Sequence, residues 1–191
     1  MDELDKQILN QTVILGSRDL AEAPFSLAEL AQSLSLSESQ LLTRFKTREQ
    51  LLHEAVEMVF TSEMAFIADI STRGPRFEYW VNRLLDYFLF HKEETFFILN
   101  YGMGLAKASL AKEDLKAYHD NMIFWGKKIL CYFALASDEE YFFVWSATFR
   151  SFVYAAANIM RGECADGEKT RRLLVTLIGH GMNALMKGPR V

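Results

Sequence analysis

Within the twelve positions from 37 to 48 stand Ser37, Ser39, Gln40, Thr43 and Arg44, followed at once by Lys46, Thr47 and Arg48. A primary amide such as Gln40 can hold adenine through two hydrogen bonds, a guanidinium such as Arg44 can do the same with guanine, and hydroxyls serve base edges or phosphates. Lys46 and Arg48 carry the charge that phosphates attract, and free backbone N–H groups at a helix start add to it. These residues can read a duplex if a rigid element presents them.

The flanking sequence predicts that element. In FSLAELAQSLSLSESQLLTRFKTREQLL (25–52), Ser26 precedes Glu29, Ser37 precedes Gln40 and Thr47 precedes Gln50, each by three residues. This is the spacing of a capping box, in which a hydroxyl accepts from an orphan N–H at a helix start and the Glu or Gln reaches back. Phe25 with Leu30, and Leu36 with Leu41, add the apolar pairs of a hydrophobic staple. Two short helices, Ser26–Leu34 and Ser37–Phe45, are then joined only by Ser35 and Leu36. That is a helix-turn-helix, whose second helix can enter the major groove. A long helix begins at Thr47, runs to about Ile70 and is broken by Gly74 and Pro75.

The remaining chain has helical periodicity and no run of strict alternation. A first helix spans about 4–20 and stops before Pro24, which restricts its predecessor. Further helices are expected near 77–91, 93–104, 110–136, 138–161 and 167–187, with a fourth capping box at Ser137 and Glu140. The expectation is an all-α chain of about nine helices, with residues 1–46 as one unit and 47–191 as a larger body reached through the helix at 47–70. Half of the 191 residues are apolar and 13% are aromatic, enough for a generous core. Two cysteines are too few for a disulfide framework, the N-terminus MDELDKQILN is acidic where a signal peptide is basic, and no apolar run reaches the roughly 18–20 residues of a membrane span. These features predict a cytoplasmic protein with no membrane partner.

AELAQSLSLSESQLLTRFKTREQLL resembles the N-terminal signature of the TetR family of bacterial transcription regulators. Leu30-Ala31 match its hydrophobic-Ala pair, Phe45 its aromatic, Arg48 its basic residue and Leu51 the Leu that opens the fourth helix; the match covers about 45 residues. Ser35 stands where the family usually has Gly, and Leu42 where a Tyr is usual. The resemblance implies a homodimer that binds double-stranded DNA at a palindromic operator, usually as a repressor released by a small-molecule effector. Charge pulls the other way: residues 1–60 hold ten Asp or Glu against five Lys or Arg, and the whole chain carries −4. Phosphate neutralisation supplies much of DNA affinity. The alternative is therefore an adaptor of the same fold that has lost operator binding and works through protein–protein contacts.

In the body, aromatics crowd residues 77–154, and Trp80, Phe97, Tyr101, Tyr118 and Trp125 are the expected lining for an apolar or aromatic effector. Two stripes are expected to form a dimer face: Trp145, Phe149, Phe152 and Ala156, and then Leu174, Leu177, Ile178, Gly181 and Leu185. No catalytic residue, metal or cofactor is expected. The four histidines have no ligand spacing, Cys131 has no His nearby, GMG at 102–104 reads as a helix end, and the Glu pairs at 93–94 and 139–140 suit first helical turns.

Overall fold

The computed structural model describes residues 2–18, 24–72, 77–102, 123–124, 126–127, 135, 137–163 and 167–186. Among them the chain is all-α: α1 (Glu3–Gly16), α2 (Leu27–Ser33), α3 (Glu38–Phe45), α4 (Arg48–Thr72), α5 (Phe77–Phe90), α6 (Lys92–Phe97) continued by a π-turn (Ile98–Gly102), α7 (Asp138–Met160) and α8 (Gly167–Met186). Of the helix expected at 110–136, residues 123, 124, 126, 127 and 135 are described; the first four are helical and residue 135 is not. Among the described residues no helix is long and apolar enough to cross a membrane.

The chain divides into two compact units, Met1–Glu63 with His91–Leu110, and Met64–Phe90 with Ala111–Val191. In the first, Ile8, Leu9 and Val13 of α1, Leu30 and Ala31 of α2, Leu41 and Phe45 of α3, and Leu51, Ala55 and Val59 of α4 are buried. In the second, α5, α7 and α8 pack together around Leu84, Phe88, Trp145, Phe149 and Phe152, with Phe88 meeting Phe149 edge to face at 5.6 Å. Arg171 of α8 ties back to α5, donating to Asp86 at 2.7 Å and to the Asn82 side chain at 3.3 Å.

The helix starts follow the expected chemistry in part. Ser37 and Gln40 make the full reciprocal box, whereas Ser26, Thr47 and Ser137 contribute the hydroxyl half, accepting from Glu29, Gln50 and Glu140 N–H. The return bonds at Glu29 and Gln50 are lost to better partners: Glu29 pairs with Arg18, and Gln50 donates to Glu54 at 2.9 Å. A further reciprocal box, unanticipated from the sequence, opens α1: Asp5 N–H donates to Asp2 at 2.8 Å and Asp2 N–H donates to Asp5 at 3.2 Å.

The first helix ends at Gly16, short of the expected residue 20. Its last carbonyls are taken by another helix, because Asn100 donates 2.9 Å bonds to the carbonyls of both Gly16 and Arg18. Gly16 is itself required by this contact. A Cβ there would lie 2.7 Å from the Phe97 ring and 3.0 Å from that of Tyr101. The helix expected at 93–104 widens into the π-turn after Phe97, and it is from this turn that Asn100 reaches α1.

The turn between α2 and α3 is a Schellman motif. Leu36 N–H donates to the Ala31 carbonyl at 2.9 Å and Ser35 N–H to that of Gln32 at 3.1 Å. The motif places its turn residue in the left-handed region, and Ser35 has φ +56°. The end of α7 repeats the pattern with Gly162 at φ +72°, where Glu163 N–H donates to Asn158 and Gly162 N–H to Ile159. Left-handed backbone costs an L-residue roughly 1–2 kcal/mol, and glycine escapes this at some cost in chain entropy. Ser35→Gly is therefore expected to raise stability by roughly 0.5–1 kcal/mol, read as a higher midpoint of thermal denaturation, while leaving the helix content unchanged.

Candidate nucleic-acid interface

Leu41 and Phe45 seat α3 in the first unit, both almost fully buried, and this leaves the opposite face outward. Ser37, Glu38, Ser39, Gln40, Leu42, Thr43 and Arg44 are all exposed, as are Lys46 and Thr47 beyond the helix. Seven of the eight residues expected to read DNA thus lie exposed on α3, its N-cap and the turn after it, and the eighth, Arg48, opens α4 and is half-buried. Their polar atoms are less free than their exposure suggests.

Gln40 Oε1 accepts from Ser37 N–H at 2.8 Å and from the Ser37 hydroxyl at 3.0 Å, so the amide oxygen that would help to hold adenine is already bonded. Thr43 donates to the Ser39 carbonyl at 2.7 Å, and the Ser37 and Ser39 hydroxyls lie 3.4 Å apart. Arg44 reaches across to α1, where it bonds Asp2 at 2.7 Å and Asp5 at 2.6 Å. The guanidinium holds the Asp2 carboxyl below the usual carboxylate range, chiefly through that hydrogen bond. Arg48 turns inward: it donates to the Phe25 carbonyl at 3.3 Å and lies over the Phe25 ring at 5.2 Å from its centre. Its position marks it as a strut between the opening of α4 and the chain entering α2. Among the described residues, Lys46 is the basic side chain of this stretch that has no partner. It occupies the C-cap of α3 with φ +51°, a conformation that turns the chain sharply into α4.

The backbone around this helix can be set beside known structures. No protein-family model matches the sequence, and no curated protein matches it. Solved structures do match. A putative TetR-family transcriptional regulator from Rhodococcus sp. superposes with a TM-score of 0.65 at 14% identity, over 95% of this chain and 100% of that one. A putative TetR-family regulator from Shewanella sp. PV-4 gives 0.63 at 14% identity, over 95% and 98%. A putative transcriptional regulator from Saccharomonospora viridis, solved in complex with choline, gives 0.59 at 14%, over 95% and 98%.

The chain has the TetR-regulator fold.

Of the residues expected to line an effector site, the structure describes the side chains of Phe97 and Tyr101. Phe97 is fully buried and packs at 5.2 Å on Tyr101, against Gly16 of α1. Tyr118 and Trp125 lie outside the described residues, as does the side chain of Trp80. The expected dimer stripe of α7 is corrected: Trp145, Phe149, Phe152 and Ala156 are almost wholly buried within the single chain, as core between α5, α7 and α8. Leu174 and Ile178 of α8 are likewise inward, and Gly181 and Leu185 lie outside the residues whose side chains are described. Of the expected stripe Leu177 is exposed, at 65%, and with it α7 and α8 present Phe143, Tyr154 and Leu173 to solvent, Phe143 being 71% exposed.

Glu63 of α4 was not anticipated from the sequence. Its side chain is fully buried, and neither carboxylate oxygen has a hydrogen-bond partner. Burial pushes its carboxyl well above the ordinary value, and the charge of Glu94 on α6 adds to the effect. A signal existed in the sequence: Val59, Phe60 and Ile67 stand one turn away on either side, which places Glu63 on the apolar face of α4. The folded state holds the Glu63 proton more tightly than the unfolded chain, so stability falls as pH rises from the ordinary Glu range towards the raised value. Glu63→Met is expected to stabilise the protein by about 1–3 kcal/mol at neutral pH, with the gain shrinking as pH falls from the raised value to the ordinary Glu range; chemical denaturation across that interval measures both.

Proposed function

We propose that this protein is a DNA-binding transcriptional regulator, acting as a homodimer on a palindromic operator and released by a small molecule. The observation that carries this reading is α3 itself, a capped helix seated by Leu41 and Phe45, with its whole polar face outward in a TetR fold. Residues 1–46 serve as the reading unit and 47–191 as the effector-binding and dimerisation body. A two-fold dimer would set two such helices about 34 Å apart, one turn of duplex. The exposed Phe143, Tyr154, Leu173 and Leu177 supply an apolar face for that dimer.

Contacts divide by role. Ser37, Ser39, Gln40 and Thr43 face the bases once the capping bonds are exchanged, and Leu42 offers a thymine methyl an apolar contact. Lys46 and Thr47 take phosphates. Arg48 contributes by holding the reading unit together, not by touching DNA. Arg44 must leave Asp2 and Asp5 before it can reach a guanine, and this competition weakens binding. Release runs through α6, since Phe97, Tyr101 and Asn100 grip the end of α1, and a ligand that moves α6 moves the reading unit with it. Such a ligand regulates only by favouring the DNA-incompetent arrangement. A related regulator with this fold was solved with choline, so the fold can enclose a small molecule.

The adaptor reading has its own support in the acidic reading unit and in an Arg44 already neutralised by its own chain. Selection of bound duplexes from a random pool, at low and then at physiological salt, separates the two: an enriched palindrome supports the regulator, and no enrichment supports the adaptor. On the selected duplex, Lys46→Ala is expected to weaken all sequences alike and to reduce the salt slope by about 1 per subunit. Asp2→Asn with Asp5→Asn is expected to free Arg44 and tighten binding by about tenfold, 1.4 kcal/mol. Unchanged affinity in the double variant removes Arg44 from the contact set.

A further inference from the structure

Glu63 has no part in the reading unit's chemistry, yet among the described residues it is the carboxylate buried with neither oxygen hydrogen-bonded. An ionised carboxylate withdrawn from water without a partner costs several kcal/mol, and taking up a proton leaves its O–H without an acceptor as well. Both oxygens are orphaned acceptors on the buried side of α4, which it shares with Val59, Phe60 and Ile67. Glu94 on α6 is close enough to act on Glu63 by charge, but it is about one-third exposed and lies 3.4 Å from His91 Nδ1. Glu94 thus stands near solvent and Glu63 is fully enclosed, both within one compact unit.

What resolves two orphaned carboxylate oxygens is a group that brings positive charge and two N–H donors together. An amidinium does this as a planar fork, and a protonated primary amine does it with two of its three hydrogens. A hard metal cation is a poorer fit, since it asks for six or more oxygens and the described residues hold no group of three potential ligands. The apolar residues around Glu63 suit a ligand whose remaining surface is hydrocarbon or aromatic.

We propose that Glu63 is the anchor of a small-molecule site that takes the protonated amine or amidine of an otherwise apolar ligand, with Glu94 attracting the cation at the entrance. An effector role for this ligand rests on the regulator reading; the binding itself does not. Helix α4 begins at the reading unit, and α6 leads through Asn100 to α1, so a cation joining Glu63 to Glu94 acts on both helices that frame the reading unit.

Calorimetric titration of the full chain tests it with two matched pairs, benzamidine against benzamide and phenethylamine against phenethyl alcohol. Each cation is expected to bind at least about tenfold tighter than its neutral partner, which is 1.4 kcal/mol. Glu63→Gln keeps the shape, removes the charge and is expected to abolish that preference, while Glu94→Gln is expected to reduce it. Helix content and melting temperature establish that each variant folds; if Glu63→Gln does not, Glu63→Met replaces it. Equal binding within each pair, no saturable binding of either cation, or a preference that survives loss of Glu63 overturns the proposal. Duplex binding is measured in parallel. DNA binding intact with no cation preference defeats this site alone, whereas a Glu63-dependent cation that leaves DNA binding unmoved defeats effector control and leaves the site standing.

Discussion

Helix α1 is held at both ends by other helices' side chains, and the behaviour of the reading unit depends on those two grips. At its start, Asp2 and Asp5 cap the helix reciprocally and also receive Arg44 from α3. At its finish, Asn100 donates to two carbonyls that no intrahelical bond can reach. The charges follow the helix dipole, carboxylates at the positive end and amide donors at the negative end. Each grip therefore satisfies groups that a free helix would leave to water. Each also ties α1 to a helix with a different task, α3 on one side and α6 on the other. A displacement of α6 has a direct mechanical route to α3 through this one element.

The same economy explains why exposure of α3 understates its engagement. Gln40, Thr43 and Arg44 stand on the outer face, but each bonds to its own chain. These bonds are individually weak against solvent, since exposed pairs contribute at most about 1 kcal/mol. On the proposed reading they set the threshold that a duplex must overcome. In a chain carrying ten acidic residues against five basic ones among its first sixty, little long-range attraction would offset that threshold.

Against this self-satisfied surface, the buried Glu63 is the exception. Buried polar groups in folded proteins are nearly always paired. Where one is not, the fold carries a cost that packing elsewhere must offset, and such costs gather at places that bind or switch. The two other buried side-chain atoms without hydrogen-bond partners among the described residues, Trp145 Nε1 and Arg150 Nε, are N–H donors in the second unit. Glu63 alone is an acceptor with a second carboxylate beside it.

The sequence by itself determined the all-α class, the helix-turn-helix and the caps of α2, α3 and α4, because hydroxyl spacing and helical periodicity act over three or four residues and need no other part of the chain. It also marked Ser35 as the turn residue, although the left-handed backbone there is visible only in the folded chain. Tertiary structure decided everything that depends on partners far apart in sequence. Arg44 meets carboxylates about forty positions away, and Asn100 meets carbonyls more than eighty away. The stripe of Trp145, Phe149 and Phe152 reads identically whether it faces a second copy or its own core; packing against α5 and α8 turned it inward. Local spacing fixes where helices begin, but which side chain is spent, spared or stranded is set by what the fold brings against it.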